Sequence, residues 1–232
     1  MTSKTDWQQF IEGSSEAAVI RFADSYAKTG DQPTLRNLGK AIMDCENWDL
    51  AREMWDTVIK HATELNRTAD SDFINRGTIE WLDGQPHKAV DLWRLSIDTI
   101  YTDIAGGVIG PAFLWFAGYR LSDTKLLKEA TKLLRKFKLG ERAKSVRFWP
   151  GPRGVASYLL DEVDTETFLN VWKEGPELSY RRDCVANFWA SVREPDKQLA
   201  VSRLKQALID KGAVLECEYF LAKHELRERG SV

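Results

Sequence analysis

Three histidines and three cysteines are the side chains in this 232-residue chain best suited to metal binding or nucleophilic chemistry. His61 precedes Glu64 by three residues, which places both on one helix face, as in any ordinary surface His–Glu pair. His224-Glu225 begins like the helix of a zinc protease. The fourth residue after His224 is Glu228, where that motif needs a second histidine, so the motif is excluded. Cys45, Cys184 and Cys217 are far apart and odd in number, which argues against a disulfide framework and against paired zinc ligands. Cys184 and Cys217 fall where a small apolar residue would pack. Gly106, Gly107 and Gly110 follow no expected strand, so they lack the setting of a phosphate-cradling loop. No nucleophile elbow or carboxylate dyad stands out. The expectation is a protein that is not an enzyme, with no catalytic residues, no metal and no cofactor.

One charge feature rises above the background. Between residues 132 and 153 lie eight basic residues, Lys132, Arg135, Lys136, Lys138, Arg142, Lys144, Arg147 and Arg153, against one acidic residue, Glu141. The block is about +7 in a chain of net −2, and it contains Phe148-Trp149. Basic residues interleaved with aromatics can hold phosphates and stack bases. They also suit an acidic protein partner, a solvated loop, or a helix C-terminus whose dipole they offset. All of these readings stay open at this point.

The elements that must position these residues come from a repeat. Leu35, Gly39, Ala51, Trp55 and Ile59 recur 38 residues later as Phe73, Gly77, Ala89, Trp93 and Ile97. A period in this range marks helical hairpins that bury their apolar faces by stacking on their neighbours. At an offset of 41, Phe73, Gly77, Ala89 and Trp93 map to Leu114, Gly118, Ala130 and Leu134. A fourth repeat begins where Gly110-Pro111 returns as Gly151-Pro152, with a weaker match in its second helix over 165–172. A fifth pairs 179–192 with 195–209, placing Ala200, Leu204 and Leu208 at the stripe positions. Prolines 33, 86, 111, 152, 176 and 195 stand at the front of apolar-periodic segments, where a missing N–H costs nothing. Helices are expected over 14–28, 34–45, 48–65, 72–82, 86–101 and 214–229. No segment alternates with period two.

The Gly of a first helix followed twelve residues later by the Ala of a second (39 and 51, 77 and 89, 118 and 130) resembles the tetratricopeptide repeat. The large residue four after the Ala (Trp55, Trp93, Leu134, Leu204) and the apolar residue four before the Gly (Leu35, Phe73, Leu114) fit as well. The periods of 38 and 41 differ from the family's 34, and Thr63 and Tyr101 stand where it has Pro. The expected fold is all-α, a TPR-like α-solenoid of about five helix pairs with an extra helix at each end. It forms a single domain over 1–232: an N-terminal helical segment over 1–32, repeats over 33–210 and a C-terminal capping helix over 211–232.

The resemblance implies recognition of a protein or peptide on a concave face lined by the first helix of each pair. Transferred repeat by repeat, the inward positions are Arg36, Lys40, Asp44, Ile74, Thr78, Trp81, Trp115, Tyr119, Arg153, Arg182 and Trp189. Arg and Lys at one end with aromatic rings further along suit an acidic partner with an apolar anchor. The same rings could equally fill the core. Small stand-alone proteins of this kind include immunity proteins that neutralise a toxin, so a toxin is one partner the resemblance implies. Nucleic acid, held by the 132–153 block, is the alternative.

No apolar run approaches the ~20 residues of a membrane span. The first 15 residues are polar and unlike a signal peptide. With unpaired cysteines, this leads to the expectation of a cytoplasmic protein with no membrane partner.

Overall fold

The computed structural model describes residues 6–101, 107–138, 151–173 and 179–230. They are all-α, and no helix is long and apolar enough to cross a membrane. The only extended pairing among them is an isolated bridge between Ala69 and Tyr101. The chain divides into two compact units, residues 1–68 and 69–232.

The first unit holds α1 (Asp6–Glu12), α2 (Ser15–Thr29), α3 (Gln32–Asp44) and α4 (Trp48–Glu64). The starts of α2, α3 and α4 are each fixed by a side chain that satisfies an orphan amide. Ser14 accepts from the Ala17 amide, Asp31 from Thr34 and Asn47 from Leu50. α1 packs on α2 through Phe10, whose ring meets Phe22 edge-on at 6.1 Å. α3 and α4 form the first hairpin. A Cβ on Gly39 would lie 2.8 Å from Trp55 Nε1, so the missing side chain is what lets the indole seat against α3.

The second unit begins with the same hairpin, α5 (Asp70–Leu82) and α6 (Pro86–Leu95), followed by a 3-10 turn over Ser96–Asp98. Trp93 of α6 fits over Gly77, and its Nε1 donates to the Ile74 carbonyl at 3.2 Å. Two further hairpins follow: α7 (Ile109–Arg120) with α8 (Thr124–Lys138), and α9 (Gly151–Leu159) with α10 (Thr165–Lys173). α11 (Ser179–Arg193) with α12 (Lys197–Ala207) forms the last. A 3-10 turn over Lys211–Leu215 leads to α13 (Cys217–Glu228).

The turn inside four of the five hairpins is a recurring device. Glu46, Gly84, Ser122 and Asp161 all adopt positive φ and end a first helix. In three hairpins the helix glycine stands seven residues before that position: 39 and 46, 77 and 84, 154 and 161. A Cβ on Gly154 would lie 3.5 Å from Trp172 Nε1, so a looser Gly–Trp pairing returns in the fourth hairpin. The hairpin of α7 and α8 departs from this. Gly118 stands only four residues before Ser122, and a Cβ there would meet the Leu127 amide at 2.9 Å. The close contact lies about one turn nearer the loop on both helices, at Leu127 and not at the Ala130 or Leu134 that the 41-residue offset pairs with Gly118.

Packing between three hairpins of the second unit is aromatic. The rings of Trp81, Trp93, Phe113, Trp189, Phe188 and Phe116 form a closed circuit with centroid separations of 4.9–5.6 Å. It ties α5, α6, α7 and α11 together. Each such contact contributes about 0.5–1.5 kcal/mol beyond area burial.

α13 then packs against α5, α11 and α12. Its attachments are polar as well as apolar. Cys217 Sγ donates to Asn75 at 3.1 Å, and Glu218 accepts from Trp189 Nε1 at 3.0 Å. Arg120 forks onto Glu225 with Nε and Nη2 at 2.9 and 2.7 Å. Glu225 is only 8% exposed, so deleting its carboxylate leaves Arg120 uncompensated. Glu225→Ala is expected to cost ~2 kcal/mol in urea unfolding, as for a buried charged hydrogen bond.

Candidate functional site

The transferred inward positions scatter in burial and role. In the first unit Arg36 is half-buried and Lys40 is buried, while Asp44 accepts from Ser15 Oγ at 2.5 Å. In the second unit Ile74 and Thr78 are buried, and Thr78 Oγ1 donates to the Ile74 carbonyl. Trp81 and Trp189 belong to the aromatic circuit, and Trp189 is wholly buried. Trp115 is buried but stacks on Tyr119 at 5.2 Å, and Tyr119 is 43% exposed. Arg120 covers Tyr119 at 5.6 Å, so this ring pair sits beside the Arg120–Glu225 clamp. Arg182 is buried in α11. The Arg153 side chain lies outside the described residues. α13 runs along α5 and α11, the first helices that the resemblance assigns to a ligand.

The basic block behaves differently. Lys132, Arg135 and Lys136 are exposed on α8, while Lys138 pairs with Glu162. Arg142, Lys144 and Arg147 lie outside the described residues. Two further exposed lysines, Lys125 and Lys128, precede the block on the same helix. At 100° per residue, positions 125, 128, 132, 135 and 136 fall within about a quarter-turn of one another. They form a straight cationic stripe about 16 Å long. The opposite face buries Leu126, Ala130 and Leu134, which fixes the stripe outward.

Among the described residues the stripe meets little negative charge. Among the described residues Lys128, Lys132 and Arg135 have no ion-pair partner. Lys125 faces Asp123, whose carboxylate is occupied capping the helix through the Leu126 and Lys125 amides. Lys136 lies over the Phe137 ring at 5.4 Å. Glu129 is the helix's only acidic residue, and Arg94 of α6 takes it with two 2.8 Å bonds. The hydrogen bond from Arg94 holds the Glu129 carboxyl below its ordinary value. A depressed carboxyl contributes stability above its unfolded pKa and loses it as pH falls through the folded one. The melting-temperature gap between wild type and Glu129→Gln should therefore be full above pH 4.5 and close below it.

Helix stability does not account for the stripe. Like charges three or four residues apart, such as Lys128 and Lys132, cost about 0.2–0.5 kcal/mol each. Cations at Arg135 and Lys136 offset the dipole at the helix C-terminus, but Lys125 stands in the first turn, where a positive charge is unfavourable.

The side chains considered for chemistry stay apart. His87 is exposed, and His61 and His224 are half-buried on α4 and α13. Cys45, Cys184 and Cys217 form no disulfide. Among the described residues no cluster of three or more His, Cys, Asp or Glu could hold a metal. Neither a protein-family model nor a curated protein matches this chain.

Proposed function

We propose that this chain is a helical-repeat binding module that holds an acidic protein partner and performs no chemistry of its own. The supporting observation is the α8 stripe: five exposed cations on one face, with the neighbouring carboxylate already bound to Arg94. Such a surface is complementary to carboxylates presented along a helix or strand, and it steers encounter as well as register. Among the described residues the exposed face of α8 carries no exposed aromatic ring, which single-stranded nucleic acid uses for stacking. This favours a protein over nucleic acid. A toxin neutralised by an immunity protein is the particular case the TPR-like reading implies, with both partners meeting in the cytoplasm.

The test is recovery of the tagged chain from its own cell lysate, with and without nuclease, analysed by mass spectrometry. One stoichiometric acidic protein that survives nuclease and dissociates as salt rises supports the proposal. Bound material that vanishes with nuclease transfers the stripe to nucleic acid and overturns it.

A further inference from the structure

We infer that the partner segment held by α8 is an acidic α-helix, docked antiparallel to α8, with carboxylates at every third or fourth residue. This rests on the reading of the stripe as a protein-binding surface, and it adds the partner's secondary structure and direction. Lys125, Lys128, Lys132, Arg135 and Lys136 are all exposed, and they follow one another in steps of three, four, three and one. Wound as a helix, these steps place the charges at about 0, 4.5, 10.5, 15 and 16.5 Å along the axis, within ~100° of arc. Ion pairs to neighbouring elements bound the stripe on either flank. Glu129, on one side, is held by Arg94 of α6, and Lys138, on the other, pairs with Glu162 in the turn before α10. Between them runs a single cationic ridge.

The spacing selects the geometry of the partner. Same-face residues of a strand recur every ~6.6–6.8 Å, so a strand offers about three carboxylates to the five cations and falls between them. A helix with acidic residues three and four apart reproduces both the steps and the arc, as facing helices do when their ridges interlock at ~20°. Complementary charge at matched spacing then fixes the register. Direction follows from where the charge is densest. Arg135 and Lys136 stand together at the C-terminal end of α8, whereas Lys125 stands alone at the other. The sequence beyond that end continues the excess, with Arg142, Lys144 and Arg147 against Glu141. Carboxylates are most favourable in the first turn of a helix, beside the positive end of its dipole. An antiparallel partner sets that turn against Arg135 and Lys136, and a parallel one sets it against Lys125.

The experiment measures binding of three synthetic peptides of equal length and charge to the full chain, by fluorescence anisotropy at low ionic strength. The first is a lactam-stapled helix with Glu at every third or fourth position along one face. The second has the same residues and staple, with its Glu scattered around the helix, and the third alternates Glu with Thr. The one-face helix should bind one-to-one and roughly tenfold tighter than either of the others. That advantage should vanish in the folded triple variant Lys128→Gln, Lys132→Gln and Arg135→Gln. A benzophenone at the first residue of the one-face peptide should crosslink within residues 132–138, and one at its last residue within 124–128. Equal binding of the one-face and scattered helices, or tighter binding of the alternating peptide, would overturn the helical partner while leaving an acidic partner on the stripe. Crosslinks in the reverse order would overturn the antiparallel docking. Binding that survives in the triple variant, or binding of no peptide, would overturn the inference entirely. The reading beneath it falls only if the lysate recovery also yields no acidic protein.

Discussion

Gly77→Ala is expected to destabilise the second unit, by about 1–3 kcal/mol, against the direction that helix propensity dictates. In an unobstructed helix interior the same change would stabilise by ~1 kcal/mol. Here the new Cβ would stand 2.6 Å from Cδ1 and Nε1 of Trp93 and 3.1 Å from the Ala89 carbonyl. The indole cannot retreat, because Trp81 and Phe113 stack on it at 5.6 and 5.2 Å. Pushing α6 outward would also break the bond from Trp93 to the Ile74 carbonyl, worth about 1 kcal/mol. Gly77→Leu should be worse, to the point of losing cooperative unfolding. Urea denaturation of Gly77→Ala gives the sign directly, and a more stable variant would refute the hairpin register.

The register was legible because a Gly–Trp pair leaves a fixed trace. Gly39 and Trp55, and Gly77 and Trp93, stand 16 residues apart in both hairpins. In the fourth hairpin the turn is two residues longer, from Asp161 to Thr165, and Phe168 stands where Ala51 and Ala89 stood. Gly154 and Trp172 are then 18 apart, and a search at fixed offset passes over them. The α7–α8 hairpin kept its residue types at an offset of 41, but its turn repeats at 38 (Gly84 to Ser122) and a Cβ on Gly118 would meet Leu127 first, so the match at 41 gives neither the turn nor this contact.

Residues of the candidate site were harder to see, for a different reason. Charge counted along the chain picks out 132 onward, because there the basic residues crowd together. Lys125 and Lys128 are diluted in sequence by Leu126 and Leu127, yet they stand in line with Lys132 once the segment is wound at 100° per residue. The helical spacing i, i+3, i+7 was the signal that could have found them. Nothing comparable announced the docking of α13. Its buried residues include Glu218 and Glu225 as well as Phe220 and Leu221, so no apolar stripe marks its contact face. Its seat depends on partners more than 100 residues away, such as Arg120 for Glu225.

Reversing three charges of the stripe is the second large effect expected. The triple change Lys128→Glu, Lys132→Glu and Arg135→Glu should weaken capture of the acidic partner at least 100-fold, or about 2.7 kcal/mol. Removing the attraction is only part of this loss, since like charges facing each other across an interface are themselves costly. Most of the change should appear in the association rate, and the salt dependence of binding should flatten. The fold should be little affected, because all three sites are exposed. A matched circular-dichroism melt separates lost binding from lost structure.

The most direct measurement is photo-crosslinking in living cells from a benzophenone side chain placed at Lys132, with the same group at exposed Leu199 of α12 as the comparison. The binding-module account predicts one protein adduct from position 132, joined within a segment rich in Asp and Glu, and absent from position 199. Adducts of equal yield from both positions, or adducts to nucleic acid from position 132, would contradict it.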